Sequence, residues 1–191
     1  MIHASEKILN YFDKLEKSLR IAYNIAEEAR SKNLDPADHV EILLAENMSE
    51  RVEGLISTVA PQIKGCGISQ RLQELEEKYK AGNWKIGMII ALETAQEKFC
   101  KFKDKKEAIE VGLRVGLAYL TNGVVASPLE GFTRLELKKR KDNNKEYFCL
   151  YFSGPIRSAG TTATCVFVAV ADYVRKQLNY AEYDPTEEEI K

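Results

Sequence analysis

Apolar residues recur at helical spacing up to Gly123 and alternate after it, and this change of period limits the fold more than any other feature. Phe132 to Lys138 alternates through Phe132, Arg134, Leu135 and Leu137, and Tyr147 to Phe152 is aromatic and apolar. Asp142-Asn143-Asn144 lies between them as a turn signal, so the two runs read as an antiparallel hairpin. The loop Gly154-Pro155-Ile156-Arg157-Ser158-Ala159-Gly160 follows, and from Thr161 to about Leu178 a continuous apolar run reads as a mostly buried helix. The expected class is α+β, mainly helical: an amino-terminal helical bundle, then an antiparallel β-hairpin and a buried helix. Residues 1–103 form the helical region. Residues 104–180 hold a further helix, the hairpin and the buried helix, within the same domain or beside it.

The first helix is expected from Ala4 to about Ser31. Ile8, Phe12, Leu15, Leu19, Ala22, Ala26 and Ala29 step by four and three residues in turn, the seam of a helix packed on another helix. A bundle within the chain and a dimer both satisfy this seam, so self-association through the first helix stays open. Asn33-Leu34-Asp35-Pro36 is a break. His39 to Leu44 is a short apolar run of undecided state, and Ser49 to Ile56 reads as a helix that Pro61 ends. Gly65-Cys66-Gly67 is a turn, with Ser69 as N-cap of a polar helix over 70–80. Asn83 caps a helix from Trp84 to about Phe99, and Asp104 with Glu107 caps one from Lys105 to Leu120. Within that last helix Gly112 and Gly116 are spaced for close helix packing, and Thr121-Asn122-Gly123 ends it.

Charge excludes one function class. Lys plus Arg number 28 against 29 Asp plus Glu, a net charge of −1, so bulk attraction to nucleic acid is ruled out. The charged amino terminus and the lack of a long apolar run predict a soluble, cytoplasmic chain with no membrane partner. Cys66, Cys100, Cys149 and Cys165 are too far apart in sequence, and from His3 and His39, for a zinc pattern, and they read as buried free thiols. No paired-carboxylate metal motif, nucleophile elbow or phosphate-loop motif occurs. Asp172 is the sole carboxylate candidate, and it reads as an ion-pair partner of Arg175 or Lys176. No catalytic or metal-ligating residue is therefore assigned, and no cofactor.

The strand, loop and helix over 147–178 carry the binding candidates. Backbone N–H groups of a glycine-containing loop beside a helix N-terminus hold phosphate oxygens. Gly154 and Gly160 supply that loop, Arg157 a forked cation, and Ser158 or Thr161 a hydroxyl. Lys138, Lys139, Arg140, Lys141 and Lys145 make the hairpin end basic, offset by Asp142 and Glu146. Together they are the expected DNA or phosphate contact. The structural alternative uses the same residues: the glycines turn the chain, Arg157 pairs with a carboxylate, and the lysines keep a hairpin soluble. Both readings, and a weaker one as a phosphate-ligand enzyme domain, stand at this point.

Asp184-Pro185-Thr186-Glu187-Glu188-Glu189 starts a helix over 181–191 that has no room to continue, as expected of a linker or a segment of a longer polypeptide. Val52-Glu53-Gly54-Leu55-Ile56, Ala60-Pro61-Gln62-Ile63, Glu97-Lys98-Phe99-Cys100-Lys101-Phe102, the stretches RVGLAYLTNGVVASPLEGF at 114–132 and YFSGPIRSAG at 151–160, then ADYVRKQL and DPTEEE, carry a resemblance over the whole chain. It resembles the amino-terminal region of the large subunit of archaeal family D DNA polymerase. One position departs from the family pattern: Thr161 stands where a second glycine follows Gly160. The resemblance implies a much longer DNA-directed DNA polymerase subunit, a nucleotidyltransferase of DNA replication. Its partners would be DNA and a small subunit with 3′–5′ exonuclease activity. It also implies Mg²⁺ and zinc in the parent subunit, at sites far downstream that map onto no residue here. Gly154 to Gly160 carry over as a signature that is structural or DNA-facing.

Overall fold

The computed structural model describes residues 5–34, 45–154, 156 and 161–190. The chain divides into two units, Met1–Glu41 and Ile42–Lys191. Residues 103 and 104, where the two regions were read to meet, fall in the connection before the helix that starts at Lys105. The run His39 to Leu44 and Pro36 lie outside the described residues.

The first unit holds α1 (Glu6–Ser31). It ends where Asn33 turns left-handed at φ 55°, so that Leu34 N–H reaches back to the Ala29 carbonyl. The 4–3 seam is present, and within the first unit nothing described covers it: α1 carries no buried residue. Phe12 is 60% exposed and Leu15 47%. Length and surface pairs sustain it instead: 26 residues exceed the ~12–15 an isolated helix needs. Lys17 binds Asp13 at 2.7 Å and Arg20 binds Glu16 at 2.6 Å, each one turn apart. Tyr11, Ile21 and Ile25 are exposed off the seam, so the apolar surface is broader than one stripe.

The second unit is built around α5 (Lys105–Leu120), where all but one residue from Ala108 to Tyr119 are buried. A helix apolar all round sits between two layers. On one side Val111, Val115 and Tyr119 meet α2 (Met48–Ser57), α3 (Ile68–Tyr79) and Ile86 and Ile90 of α4 (Trp84–Ala95). On the other, Ile109, Leu113 and Leu117 meet strands β1 (Phe132–Lys139) and β2 (Glu146–Phe152) and helix α6 (Thr161–Gln177). A short α7 (Glu187–Ile190) closes the described chain.

The glycine spacing acts as expected. A methyl on Gly112 would lie 2.5 Å from the Ala91 carbonyl oxygen, and one on Gly116 2.7 Å from the Gly87 oxygen, so α4 and α5 are in backbone contact. Asp104 caps α5 through Glu107 N–H at 2.8 Å, and Glu107 reaches back to Lys103 N–H at 2.6 Å. Two boundaries and one burial pattern differ from expectation. Ser69 is not a cap: α3 starts from Gly67 at φ 100°, and the Glu53 carboxylate of α2 takes the Gly65 and Ser69 N–H groups, both at 2.7 Å. Helix α4 ends at Ala95 and not Phe99, because Glu97 turns left-handed at φ 57° and spends its carboxylate on Phe102 N–H. Helix α6 is not mostly buried as expected: only one stripe, Phe167, Val170, Ala171 and Val174, is.

Candidate nucleic-acid interface

Two side chains of α5, Arg114 and Glu110, hold the start of the hairpin. Arg114 is 7% exposed, and its Nη1 donates to the carbonyls of Pro128 at 2.5 Å and Phe132 at 2.8 Å. Its Nη2 donates to Thr133 O at 2.9 Å and to Glu110 Oε1 at 3.0 Å, while Glu110 Oε2 accepts Leu135 N–H at 3.0 Å. Successive carbonyls of a regular strand point to opposite edges. Here Phe132 O and Thr133 O both reach one guanidinium, because the register shifts between Phe132 and Arg134. The same bulge places Phe132 and Leu135, three residues apart, on one buried face. The π-helical turn Ala126–Gly131 precedes the strand and presents the Pro128 carbonyl to Arg114.

Beyond the bulge the strands pair regularly, Leu135 with Leu150, Leu137 with Phe148 and Lys139 with Glu146. Arg140 N–H bonds Lys145 O at 2.9 Å, and Asn144 takes φ 57° in the expected turn. Alternation then separates the candidate cations. Lys138 belongs to the outer face with Arg134, Glu136 and Tyr151. Its ammonium lies 3.6 Å from Glu136 and 5.4 Å from the Tyr151 ring, and Tyr151 above all raises its pKa from the ordinary lysine value. Lys139 falls on the opposite face, exposed. Arg140 is folded back on Asp142 at 2.6 Å and Asp184 at 3.0 Å, and Asp142 chiefly raises its pKa. Lys141 meets Glu189 of α7 at 3.2 Å. The four cations thus do not form one patch, and Arg140 ties the hairpin tip to the chain after α6.

Arg157, Ser158 and Gly160 lie outside the described residues, so the phosphate-loop geometry is not on view. Thr161 opens α6 and is exposed. A Cβ on Gly154 would meet nothing within 4 Å. Ile156, read from sequence only as a member of the signature loop, is fully buried, and a Cβ on Gly131 would stand 2.7 Å from its own Cβ. The described parts of the two signature stretches therefore meet at Gly131 and Ile156, and Phe132 and Phe152 of those stretches pack edge-on or tilted with Phe167. The only advance signal was an arginine inside an apolar helix.

Asp172 pairs with Arg175 at 2.7 Å and Lys176 at 2.8 Å, as read from sequence. The cysteines are free, but Cys66, Cys100 and Cys149 are half-buried and Cys165 is exposed, so none is the fully buried thiol expected. Among the described residues no three His, Cys, Asp or Glu side chains converge, so they supply no donor set that fits the zinc or Mg²⁺ of the resemblance. No described helix is long and apolar enough to cross a membrane.

These features define a class: a mainly helical α+β domain whose described sheet is a two-stranded hairpin clamped to a central helix. The family model described as DNA polymerase II large subunit DP2, N-terminal, matches residues 10–191. The DNA polymerase II large subunit of Nanoarchaeum equitans is 45% identical over 95% of this chain, and that of Methanococcus maripaludis 40% identical over its whole length. The one from Thermoplasma acidophilum is 40% identical over 95%. The chain belongs to the amino-terminal region of the archaeal DNA polymerase II (family D) large subunit. It spans 14% to 16% of the length of these relatives.

Proposed function

We propose that this chain is the non-catalytic assembly domain of the large subunit of an archaeal replicative DNA polymerase, and that α1 is its docking element for the rest of that subunit. The parent would be the DNA-directed polymerising subunit, working inside the cell with DNA and a small 3′–5′ exonuclease subunit. One observation carries the reading. A 26-residue helix with a regular apolar seam has no buried residue in a chain that spans about a sixth of its relatives. Ile8, Phe12, Leu15 and Leu19 are 40–60% exposed, so leaving them uncovered forgoes about half of the ~1.5–3 kcal/mol that full burial brings each, and a covering surface is what the helix lacks. On this reading the occupant is the remainder of the subunit, which would be tethered to α1.

The test replaces Phe12, Leu15 and Leu19 together by Ser in the whole subunit. The variant should lose the protection of α1 against proteolysis while the melting of the separate 191-residue chain stays unchanged. Protection that persists, or protection that appears in the chain alone as it dimerises, overturns the docking assignment; the second result makes α1 a self-association helix.

DNA contact is the second reading, and the hairpin supports it. Exposed ion pairs such as Lys138 with Glu136 and Lys141 with Glu189 are weak, so phosphates can replace the carboxylates. Titrating the chain with duplex DNA at two salt concentrations should show affinity falling with salt whatever the sequence. Replacing Lys138, Lys139 and Lys141 by Ala should lower the salt slope by about one for each phosphate no longer bound. An unchanged slope removes the hairpin from the contact.

A further inference from the structure

The chain after α6 lies along the hairpin as an acidic strap. Residues 182–189 hold five carboxylates and no cation, while the hairpin end from Lys138 to Lys145 holds five cations and one carboxylate. Ala181 N–H donates to Glu146 O at 2.9 Å, an isolated backbone bridge to β2. Beyond it the strap is held by side chains. The Tyr183 ring lies 5.0 Å from that of Tyr147, Arg140 donates to Glu182 O at 3.2 Å and to Asp184 at 3.0 Å, and Lys141 meets Glu189 at 3.2 Å. Pro185 has no N–H to add to a strand. Glu189 is aimed by its own turn: one oxygen accepts Thr186 N–H at 3.0 Å and the other faces Lys141.

Cover and cation differ in exposure. The Arg140 side chain is 11% exposed, whereas that of Asp184, which lies on it, is 69% exposed. Pairs made by such exposed carboxylates are weak and are screened by salt. Between the hairpin end and the end of α6 lies a cavity of about 1040 Å³. Lys105, Arg140, Lys145, Arg175 and Lys176 line it, against two carboxylates from outside the strap and Glu182 from within it. Among the described residues Lys105 and Lys145 have no ion-pair partner. The basic surface therefore continues past the cations that the strap covers.

We propose that the hairpin end and this groove form a surface for the phosphate backbone of DNA, and that the strap is its internal competitor. This rests on the DNA-contact reading above and goes beyond it by naming what covers the surface in the free chain. Carboxylate and phosphate oxygens are alternative acceptors for one guanidinium or ammonium. Asp184 and Glu189 hold Arg140 and Lys141 until a continuous backbone, which brings many charges and releases its own counterions, takes their place. The strap then leaves the hairpin, and Ala181 N–H keeps its base on β2.

The experiment titrates the 191-residue chain with labelled duplex DNA at low salt, using two double variants with the same change of charge. Asp184→Asn with Glu189→Gln frees both covered cations, so affinity should rise by about two- to tenfold, the range expected for removing two exposed pairs. Glu187→Gln with Glu188→Gln removes strap charges that contact no hairpin cation, and should raise it distinctly less. In the unsubstituted chain, saturating DNA should speed cleavage after Glu182, Glu187 and Glu188 by a glutamate-specific protease, relative to cleavage in α1. Equal gains in the two variants would reduce the strap to bulk charge and overturn the proposal. Binding without faster strap cleavage overturns it as well, and this result needs no variant to fold. DNA binding by none of the three proteins ends the DNA-contact reading itself, whereas binding with no gain from freeing Arg140 and Lys141 ends only the competitor.

Discussion

Arg114 shows what one residue contributes when a strand must be joined to a helix. Its guanidinium satisfies the Pro128, Phe132 and Thr133 carbonyls, binds Glu110, and stands 4.7 Å from the Phe132 ring centre. A lysine has neither the fork nor the planar face for this arrangement. Arg114→Lys should destabilise the chain by about 2–4 kcal/mol, and Arg114→Met, which leaves Glu110 without its charged partner, by about 3–5 kcal/mol. Urea unfolding of the two variants checks this; a loss below about 1 kcal/mol for either would show the clamp to be dispensable. The sequence displays Arg114 only as a charge that makes a membrane helix implausible. Its carbonyl partners are 14 to 19 residues away and gather only because the strand bulges. A bulge leaves no mark in composition, although the three-residue step from Phe132 to Leu135 is its trace.

Elements were legible where a local rule governs them. Asp104 with Glu107, the Gly112 and Gly116 pair and the turn at Asp142 to Asn144 are each encoded within a few residues, and each is found as read. The rule failed where a distant residue did the local work, as when Glu53 in α2 caps α3 and leaves Ser69 only a donor. Glycines in two helices give a matched test of close packing. Gly116→Ala drives a methyl to 2.7 Å from Gly87 O and Ala91 Cβ, so it should cost about 1–3 kcal/mol despite alanine's better helix propensity. Gly54 in α2 has nothing within 4 Å of an added Cβ, so Gly54→Ala should stabilise by about 0.5–1 kcal/mol. Equal signs in thermal melts of the two variants would contradict the packing. A third prediction concerns the α3–α4 pairing. Burial favours the protonated Glu93, but Arg71 at 2.9 Å and Lys98 at 3.3 Å outweigh it and lower the carboxyl from its ordinary value. A depressed folded pKa adds stability that is complete above the unfolded value near ~4.3 and disappears as pH falls through the folded one. Glu93→Gln should therefore flatten the loss of stability below about pH 4.5 and leave its shape near pH 7 unaltered.

On the scale of the molecule, the two units answer differently to the same kind of change. Leu113 of α5 is fully buried at the centre of the second unit, and Leu15 of α1 is 47% exposed in the first. Sequence periodicity marks both as core positions, since a seam says which face of a helix is apolar and nothing about what covers it. In the 191-residue chain, Leu113→Ala should cost about 2–5 kcal/mol through weakened packing and a residual cavity. Leu15→Ala should change stability by less than about 0.5 kcal/mol, because half the side chain already meets water and alanine is the better helix former. The whole subunit should reverse this for Leu15. Covering α1 would bury Leu15 as tightly as Leu113, and the same substitution should then cost about 2–5 kcal/mol of the docking free energy. Measuring Leu15→Ala in both contexts separates the two sources of its apolar character. A large cost in the chain alone would mean that α1 is already packed there, and a small cost in both would mean that the seam serves neither the fold nor its assembly.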